Sequence, residues 1–425
     1  MTVEQTPTQR LYAVVEQGLC VGCGLCQSVA GEQHVSVMKT LNGYEQPVVV
    51  GELDHQTVDK ILDVCPGTHV EGLPKDKVEE NTKIDNVWGP WRRLVLSWAS
   101  DPKVRFEGST AGVLTALAGY LLKSRQVDFI LHTRSSAVEP SFGEATLSFN
   151  HAQVLEAAGS RYGPSATLIN ISSVLDRNQP FAFIGKPCDI AALRNFSRHD
   201  SRVEKLVKYY LTPVCGGIMQ PLSTIDFIKR NGMEPEKVTH FRYRGRGCPG
   251  PTRIESNEVV KEVHYLDFWG EDATQWALPF RCKICPDEIG EAADIAAADT
   301  WFGGSPTRQG SLADPGENAF IARTMAGQEL LEAAAAAGVL SLGQDVTPDE
   351  MSGYQPHQMR KKYAAWSRFQ GIGDEGRIVP HVERLRIQEL AEDLPDSRNE
   401  YQRNGTRQRI IDGKVQEPTP EPWKL

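Results

Sequence analysis

The sequence lacks long apolar runs and an excess of basic residues, and both absences exclude classes of function. No stretch reaches the roughly 18 consecutive apolar residues that a membrane-spanning helix needs. The net charge of −9 at pH 7 argues against a protein that binds nucleic acid or an anionic membrane through basic surface. The opening residues MTVEQTPTQRLY lack the basic-then-apolar pattern of a signal peptide. We therefore expect a cytoplasmic protein with no membrane span and no nucleic-acid partner.

Cysteine is plentiful by contrast, and its spacing carries the strongest chemical signal. Nine cysteines in a 425-residue intracellular chain indicate metal or redox chemistry, because the cytosol keeps thiols reduced. Cys20, Cys23 and Cys26 form the motif CVGCGLC, and Cys65 precedes a proline. This spacing favours a [4Fe-4S] cluster over free thiols or over zinc, which more typically uses two C-x2-C pairs. Position 30 is Ala30, so the ligand of a second nearby cluster is missing and one centre is expected here.

The remaining five cysteines predict a second four-thiolate site with one cysteine to spare. Cys282 and Cys285 form a C-x2-C pair, while Cys188 and Cys215 each follow a predicted strand. In an open α/β sheet, ligands bind beyond the carboxyl ends of the strands, so these four side chains are expected to converge. The alternative is that several are buried free cysteines, which are common in cores. Cys248, in RGRGCPG, has no assigned role.

The chain divides by composition into three parts. Residues 1–85 form a small cysteine-bearing unit that ends in a charged connector, and residues 384–425 form a charged tail expected to be poorly ordered unless docked on a partner. Between them, residues 86–383 alternate β-branched runs with amphipathic stretches, the pattern of an α/β domain with a largely parallel sheet. Strands are predicted over 94–99, 128–133, 180–185 and 206–214, and helices over 111–123, 190–196 and 327–337.

Two glycine-bearing segments suggest an anion or nucleotide site. EGSTAGVLT, residues 107–115, places small residues directly before a buried helix, where backbone N–H groups can approach a pyrophosphate. It matches neither G-x-G-x-x-G nor the P-loop, so a plain helix N-cap is the alternative. GSRYGPS, residues 159–165, offers Arg161 for a phosphate and Tyr162 for stacking on a ring, or is a surface turn.

Together these motifs resemble one protein family. The ordered set is CVGCGLC with Cys65, GSTAGVLTAL, GSRYGP, GKPCDIAALRN, VCGG, YRGRGCPG, RCKICPD followed by ADIAAADTWFGG, and GYQPHQMRKKYA. It is similar, from about Leu19 to Gly371, to the beta-subunit family of coenzyme F420-reducing hydrogenases and dehydrogenases, which includes 7-hydroxymethyl chlorophyll a reductase. The resemblance implies a FAD-binding α/β domain with an N-terminal ferredoxin-like [4Fe-4S] segment.

The resemblance also implies roles for individual residues. Cys188, Cys215, Cys282 and Cys285 would hold a [4Fe-4S] cluster beside the flavin, and Cys20, Cys23, Cys26 and Cys65 would hold an entry cluster. The implied FAD contacts are Ser109, Thr110, Gly112, Thr115, Ser160, Arg161 and Tyr162, with Lys186, Asp294 and Asp299 near the same pocket. Without the family, ADIAAADTW reads equally well as an acidic loop holding a core tryptophan.

Two positions depart from the family pattern. Members often have tryptophan where this chain has Cys248, which leaves that thiol either inert or near the substrate. Members often read SGG at the start of the flavin helix, whereas here Ser109 is followed by Thr110, Ala111 and Gly112. The extra methyl groups are expected to narrow the approach to the cofactor.

The implied function is that of an iron–sulfur flavoprotein oxidoreductase. The first hypothesis is that a ferredoxin or other low-potential donor passes electrons through two clusters to FAD, and FAD passes hydride to a small organic substrate. The alternative is an F420-dependent beta subunit serving a hydrogenase or dehydrogenase, and a third is an electron-transfer adaptor without its own substrate. Family analogy also allows a homo-oligomer.

No proton donor stands out in the sequence. His357 is the candidate because histidine titrates near neutral pH, although a structural histidine fits the sequence as well. The neighbouring basic residues Arg360, Lys361, Lys362 and Arg368 could face an anionic substrate or a ferredoxin, or simply form a solvated helix face.

Overall fold

The computed structural model describes residues 5–272, 276–310 and 314–423, which form α-helices and β-strands throughout. The helices are α1 (Pro7–Glu16), α2 (Leu25–Ala30), α3 (His55–Val64), α4 (Pro102–Glu107), α5 (Val113–Lys123), α6 (His151–Glu156), α7 (Ile171–Asp176), α8 (Pro187–Phe196), α9 (Arg202–Leu206), α10 (Pro221–Arg230), α11 (Tyr265–Trp269), α12 (Phe280–Lys283), α13 (Met325–Ala336), α14 (Pro348–Tyr354), α15 (Pro356–Asp374), α16 (Ile387–Glu392) and α17 (Asp396–Ile411). The strands are β1 (Val35–Lys39), β2 (Glu45–Val49), β3 (His69–Glu71), β4 (Lys83–Asp85), β5 (Gly89–Trp91), β6 (Arg93–Ala99), β7 (Phe129–Ser135), β8 (Gly143–Ser148), β9 (Phe181–Ile184), β10 (Val207–Pro213), β11 (Val238–Arg242), β12 (Thr252–Ser256), β13 (Val260–Val263), β14 (Ile295–Asp299), β15 (Asn318–Ala322), β16 (Leu340–Asp345) and β17 (His381–Glu383).

An eight-stranded mixed sheet forms the centre of the molecule. Its strand order is β16-β6-β15-β14-β10-β9-β7-β8. Only the central pairs β7–β9, β9–β10 and β10–β14 are parallel, and the other four pairs are antiparallel. The α/β class and the four predicted strands are confirmed, whereas the expectation of a largely parallel sheet is wrong. The parallel pairs join only β7, β9, β10 and β14; β15, β16 and β8 run in the opposite direction, and β6 runs in the same direction as the central strands but lies between two antiparallel neighbours.

Helix α5 explains how the sheet is covered on one face. Its apolar residues lie nearly all round the helix, and Leu117 and Leu121 are completely buried against strands of the sheet. Strand β15 is buried at every position, as expected for a strand covered on both faces. Each fully buried leucine or phenylalanine stabilises the fold by roughly 1.5–3 kcal/mol, so this layer fixes the start of α5 firmly.

The N-terminal segment is a small unit of helices around a hairpin. Helices α1, α2 and α3 pack with the antiparallel pair β1–β2, and strand β3 leaves the unit to pair in parallel with β17. The loop between α1 and α2 carries Cys20 and Cys23, Cys26 lies in the first turn of α2, and Cys65 caps the end of α3. The segment rests on the main domain, where the Leu168 N–H donates to the Cys23 carbonyl oxygen at 2.8 Å.

The charged tail is folded and docks on the chain itself, contrary to the expectation of poor order without a partner. Helix α17 packs along α15 and buries Thr406 and Ile410, while Tyr401 and Ile411 stay exposed. Beyond α17 the chain reaches the N-terminal hairpin. The Glu417 carboxylate accepts hydrogen bonds from the side chains of Asn42, at 3.0 Å, and Gln46, at 2.5 Å, and the Trp423 N–H donates to the Lys39 carbonyl oxygen at 2.8 Å.

A second small sheet, β11-β12-β13, lies beside the carboxyl ends of the main sheet. With α10 and α11 it encloses a cluster of aromatic side chains that includes Phe241, Tyr243, Phe268 and Trp269. Neighbouring rings in this cluster meet edge to face, with centroids 4.6 to 6.1 Å apart. This packing gives the site described below a rigid aromatic wall.

Across the described ranges, no helix is both long enough and apolar enough to cross a membrane.

Candidate functional site

A large cavity of about 650 Å³ opens at the carboxyl ends of the parallel strands β9, β10 and β14. This is where open α/β sheets place their ligands. Most residues predicted to bind a cofactor line it: Ser109, Gly112, Thr115, Ser160, Arg161, Tyr162, Lys186, Asp299 and the candidate proton donor His357. The two glycine-bearing segments, far apart in sequence, therefore meet in one cavity wall, and the Ser160 N–H donates to the Ser109 hydroxyl oxygen at 2.7 Å.

The start of helix α5 needs glycine for a steric reason. Gly112 is the N-cap residue at φ +69°, and a Cβ there would lie 2.5 Å from the Val104 carbonyl oxygen. Thr110 also has a positive φ, and it is buried behind the cavity wall. Its hydroxyl donates to Asp299 and accepts a hydrogen bond from Arg244 at 3.0 Å. Thr110 and Ala111 do not line the cavity, so the expected narrowing by their methyl groups does not occur.

Arg244 lines the cavity, although no role was predicted for it from the sequence. Its guanidinium is held from two sides, because Nε donates to Ser160 at 3.1 Å and Nη2 donates to Asp299 at 2.9 Å. Burial lowers the pKa of Arg244, but Asp299, Tyr162 and Tyr265 together outweigh burial and raise that pKa well above its usual value. The Nη1 atom is buried without a hydrogen-bond partner among the described residues, in a side chain that lines the cavity. It is thus a fixed cation with a free donor, and its only sequence signal is the motif YRGRGCPG.

Arg161 and Lys186 are less free than their sequence motifs suggest. Arg161 donates through Nη1 to the Phe241 carbonyl oxygen at 3.0 Å, and burial together with Arg242 lowers its pKa to about 10. Lys186 pairs with Asp189 at 2.8 Å. Burial lowers the pKa of Lys186, but Asp189, Cys188 and Cys215 together more than reverse this, so its ammonium stays charged at the cavity wall.

Asp294 does not meet the expectation that it lies near the cavity. Its carboxylate accepts hydrogen bonds from the Tyr210 N–H at 2.8 Å, from Arg194 at 3.0 Å and from Thr324 at 3.0 Å. It precedes β14, whereas Asp299 ends β14, so the two aspartates of ADIAAADTW lie at opposite ends of one strand. Only the carboxyl end reaches the cavity, and Asp294 has a structural role.

His357 lines the cavity against an aromatic side chain. Its ring centroid lies 5.0 Å from that of Trp276. Burial lowers the pKa of His357, and the charges of Arg360 and Lys361 lower it further, so the ring is neutral at neutral pH. As a neutral imidazole it can donate an N–H hydrogen bond, but it is not the protonated form that would serve as a general acid.

Most of the basic residues after His357 are buried or half-buried. The alternative that they form a solvated helix face is therefore wrong for these residues. Lys361 pairs with Glu288 at 2.6 Å, and the buried Lys362 donates to the Val87 carbonyl oxygen at 2.6 Å and pairs with Glu291. Arg368 donates to Gln402 at 2.9 Å and to the carbonyl oxygen of Lys283 in α12. Arg360 alone of the four is exposed.

The four thiols of the inner cysteine set, Cys188, Cys215, Cys282 and Cys285, converge at the cavity wall. Burial raises the pKa of all four thiols, and neighbouring thiols of the set raise it further for Cys188, Cys215 and Cys285. The pKa of Cys285 reaches about 12. Cys215 is also part of the cavity lining, and its sulfur accepts a hydrogen bond from the Gly217 N–H at 3.3 Å. Four half-buried cysteines whose thiols interact electrostatically fit a metal group, because coordination stabilises thiolates that burial alone disfavours.

The outer cysteine set, Cys20, Cys23, Cys26 and Cys65, is built in the same way. Burial raises the pKa of each thiol, and Cys65 raises it further for the other three, to about 12 for Cys26. The thiols line a small cavity of about 30 Å³ whose other walls are mainly apolar. The Gly22 N–H donates to the Cys20 sulfur at 3.4 Å, the type of N–H to sulfur contact that tunes iron–sulfur clusters.

Cys248 belongs to neither set. It is 2% exposed, lies beside Thr110 and Gly316, and does not line the cavity. Burial raises its pKa to about 12, with a further contribution from Asp299, which leaves it a protonated thiol at neutral pH. Of the two open roles for this residue, the structure favours the inert one.

A pH dependence of stability follows from the docked tail. Burial raises the pKa of Glu417 to about 7, and its bonds to Gln46 and Asn42 oppose this only in part. A carboxyl whose pKa is raised on folding contributes stability that is complete below the unfolded value near pH 4.5 and is lost as pH rises through about 7. Glu417→Gln cannot ionise, so the variant should become more stable relative to wild type as the pH rises from 5 to 8. The difference in melting temperature should correspond to a change of up to ~3 kcal/mol in the free energy of unfolding. Anaerobic thermal denaturation at both pH values measures this, with the exposed Glu392→Gln as control; a difference that does not change with pH contradicts it.

Comparison with known proteins shows which proteins have a similar sequence and fold. Residues 94–171 match the family model of the N-terminal part of the coenzyme F420 hydrogenase/dehydrogenase beta subunit, and residues 178–347 match the model of its C-terminal part. A chain of the F420-reducing [NiFe] hydrogenase complex from Methanosarcina barkeri has a similar fold, with a TM-score of 0.53 at 18% identity over 68% of this chain and 97% of that one.

Two curated relatives extend the match in sequence. The coenzyme F420-dependent sulfite reductase of Methanocaldococcus jannaschii is 22% identical over 339 residues, which are 76% of this chain and 47% of the relative. The F420-dependent formate dehydrogenase 1 subunit beta of Methanococcus maripaludis is 25% identical over 202 residues, which are 47% of this chain and 50% of the relative. The chain spans about half the length of these relatives. Since the two family models together match more than half of its residues, the chain belongs to the coenzyme F420 hydrogenase/dehydrogenase beta subunit family.

Proposed function

We propose that this protein is an F420-linked iron–sulfur flavoprotein oxidoreductase. In this proposal FAD occupies the large cavity, and the inner and outer cysteine sets each hold a [4Fe-4S] cluster. The observation that carries it is the position of Cys215, which belongs to the inner cysteine set and also lines the cavity. Both curated relatives are F420-dependent oxidoreductases by name, which supports F420 as the hydride partner.

The residues of the cavity suit a flavin dinucleotide. Gly112 lines the cavity at the start of α5, where backbone N–H groups can meet an anion. Arg244 offers a guanidinium N–H without a protein partner, which can donate to an anionic or carbonyl oxygen of the flavin. Lys186 keeps its charge beside the inner cysteine set. A bound flavin supplies the ability to exchange two electrons as hydride with one partner and single electrons with another.

The protein's own contribution is to bind, orient and exclude water. Arg244 is held between Ser160 and Asp299, so its charge is fixed before any ligand arrives. Tyr265 and Trp269 of α11, with Trp276, line one side of the cavity and keep water away from that side. His357, neutral and facing the same space, can orient a polar group of a substrate by donating an N–H.

A second candidate is a ferredoxin-dependent reductase of a small organic substrate. It is favoured by the outer cysteine set, which gives this single chain its own entrance for one-electron donors. In the F420-linked proposal the same set serves as the exit to a hydrogenase, dehydrogenase or other partner. The two differ only in the direction of electron flow, so the donor decides between them.

Anaerobic reduction of the purified protein tests both candidates. We expect about eight irons and one flavin per chain after reconstitution, as two [4Fe-4S] centres require. Reduced F420 should bleach the flavin absorbance rapidly, and reduced ferredoxin only slowly. Bleaching by ferredoxin alone establishes the second candidate, fewer than about six irons contradict the two-cluster proposal, and electrons that never reach a small molecule indicate an adaptor.

Removing the outer cluster should separate the two halves of the reaction. We expect Cys65→Ala to retain about four irons and to be bleached by reduced F420 at the wild-type rate, because the cavity and the inner cysteine set are intact. Transfer onward to a one-electron acceptor such as ferredoxin should fall at least ~10-fold, since the route through the outer set is lost. Stopped-flow absorbance measures both steps; equal acceptor rates in the variant and wild type would contradict a role for the outer set.

A further inference from the structure

One arginine contacts the loops of both cysteine sets. Arg281 is 1% exposed and directly precedes Cys282 in α12. Its Nε and Nη2 atoms both donate to the carbonyl oxygen of Pro66, at 3.0 and 2.7 Å, and Pro66 directly follows Cys65. Its backbone N–H donates to the Gly18 carbonyl oxygen at 3.1 Å, at the start of the loop that carries Cys20.

The charge of Arg281 has no carboxylate in direct contact. Within the ranges that the structure describes, it forms no ion pair; burial raises the pKa of Glu288 and Arg281 lies close enough to oppose this, but that carboxylate pairs with Lys361 at 2.6 Å. A buried guanidinium without a paired anion is costly, so a further anion is expected nearby. The thiols of both sets are the other groups in reach. Against the raising effect of burial, Arg281 lowers the pKa of Cys65, Cys282 and Cys285, which places its charge near both sets.

We propose that Arg281 is a positioning residue that acts as the shared counter-ion of the two cysteine sets and links them through Cys282, its own guanidinium and the Pro66 carbonyl to Cys65. This inference rests on the proposed function, because it assumes that both sets hold clusters. Four thiolates around a [4Fe-4S] centre carry net negative charge, and that charge grows by one when the centre is reduced. A fixed cation between two such centres therefore favours the reduced form of each.

The transfer that Arg281 assists moves an electron and nothing else. One cluster is oxidised by one electron, the other is reduced by one electron, and no bond forms or breaks. Arg281 remains protonated throughout, because a guanidinium does not deprotonate in proteins. The two parallel donors to one carbonyl oxygen hold the residue in place, so its charge keeps the same position relative to both sets.

The test is a redox titration of the reconstituted full chain, followed by electron paramagnetic resonance. Arg281→Gln removes the charge, and we expect it to keep about eight irons while the midpoint potentials of both clusters shift to more negative values. Arg281→Lys keeps the charge without the paired hydrogen bonds, and both potentials should stay close to those of wild type. The exposed Arg398→Gln is the matched control and should change neither potential.

The outcomes separate this inference from the proposed function. Wild-type protein with fewer than about six irons contradicts the two clusters themselves, whatever Arg281 does. Full iron content with unchanged potentials in Arg281→Gln overturns the counter-ion role, and a shift of one potential alone overturns the shared role. If Arg281→Gln fails to hold iron, the lysine variant decides: potentials near wild type support the proposal, and a negative shift of both overturns it.

Discussion

Cys282→Ala should lose about four of the eight irons and abolish electron transfer between the cavity and the outer cysteine set. Cys282 lies in the inner set, where its thiol raises the pKa of Cys215 and Cys285, so three thiols remain after the substitution. A [4Fe-4S] centre normally needs four protein ligands, and its loss removes the step between flavin and outer cluster. We expect steady-state activity to fall at least ~100-fold while flavin stays bound. Iron and flavin analysis with an anaerobic activity assay measures this.

Cys248→Ala is the matched control for that loss. It removes a buried cysteine near the same cavity that contacts neither cysteine set, so iron content and activity should stay near wild type. Loss of iron from this variant, or full iron content in Cys282→Ala, contradicts the assignment of the inner set.

Arg244→Met should weaken flavin binding by ~10- to 100-fold. The substitution removes a charged donor that has no protein partner for Nη1, and hydrogen bonds to charged groups are worth roughly 1.5–3 kcal/mol. It also leaves Asp299 and Ser160 without their bonds to the guanidinium. Fluorescence titration of deflavinated protein with FAD measures the affinity, and circular dichroism checks the fold.

Arg308→Gln is the control for the arginine prediction. Arg308 also lines the cavity, but its side chain is 52% exposed and pairs with Asp267 and Glu271, so its loss should change FAD affinity less than ~3-fold. Equal losses in both variants would mean that cavity charge in general, and not the buried guanidinium, sets the affinity.

The elements of the fold were predictable where the signal is local. Runs such as FAFI and LVLSWA are rich in apolar and β-branched residues, and each became a strand within a residue or two of its predicted ends. The direction of a strand within the sheet was not predictable. The residues of a strand such as β15 or β16 suit a parallel and an antiparallel neighbour equally well. The docked tail was missed for a related reason: α17 has few apolar residues, and the partner that orders it is α15 of the same chain.

The candidate site was likewise predictable only where the signal is local. The cysteine sets follow from spacing, because two C-x2-C patterns and two strand ends limit where thiols can meet. The positions of Arg244 and Arg281 do not follow, since an arginine has no characteristic spacing and both depend on contacts with residues far away in sequence. Asp294 and Asp299 appeared equivalent in ADIAAADTW, yet a five-residue strand separates them by its full length.

The contact between the tail and the N-terminal hairpin has a consequence for how the protein is made. Residues 415–423 lie against Gly18, Lys39 and Gln46, next to the segment that carries Cys20 and Cys23. During synthesis the CVGCGLC motif leaves the ribosome some four hundred residues before these tail residues, so it lacks this contact until then. If the proposed function holds, we therefore expect iron and sulfide to reach the outer cysteine set most easily during synthesis, before the tail docks.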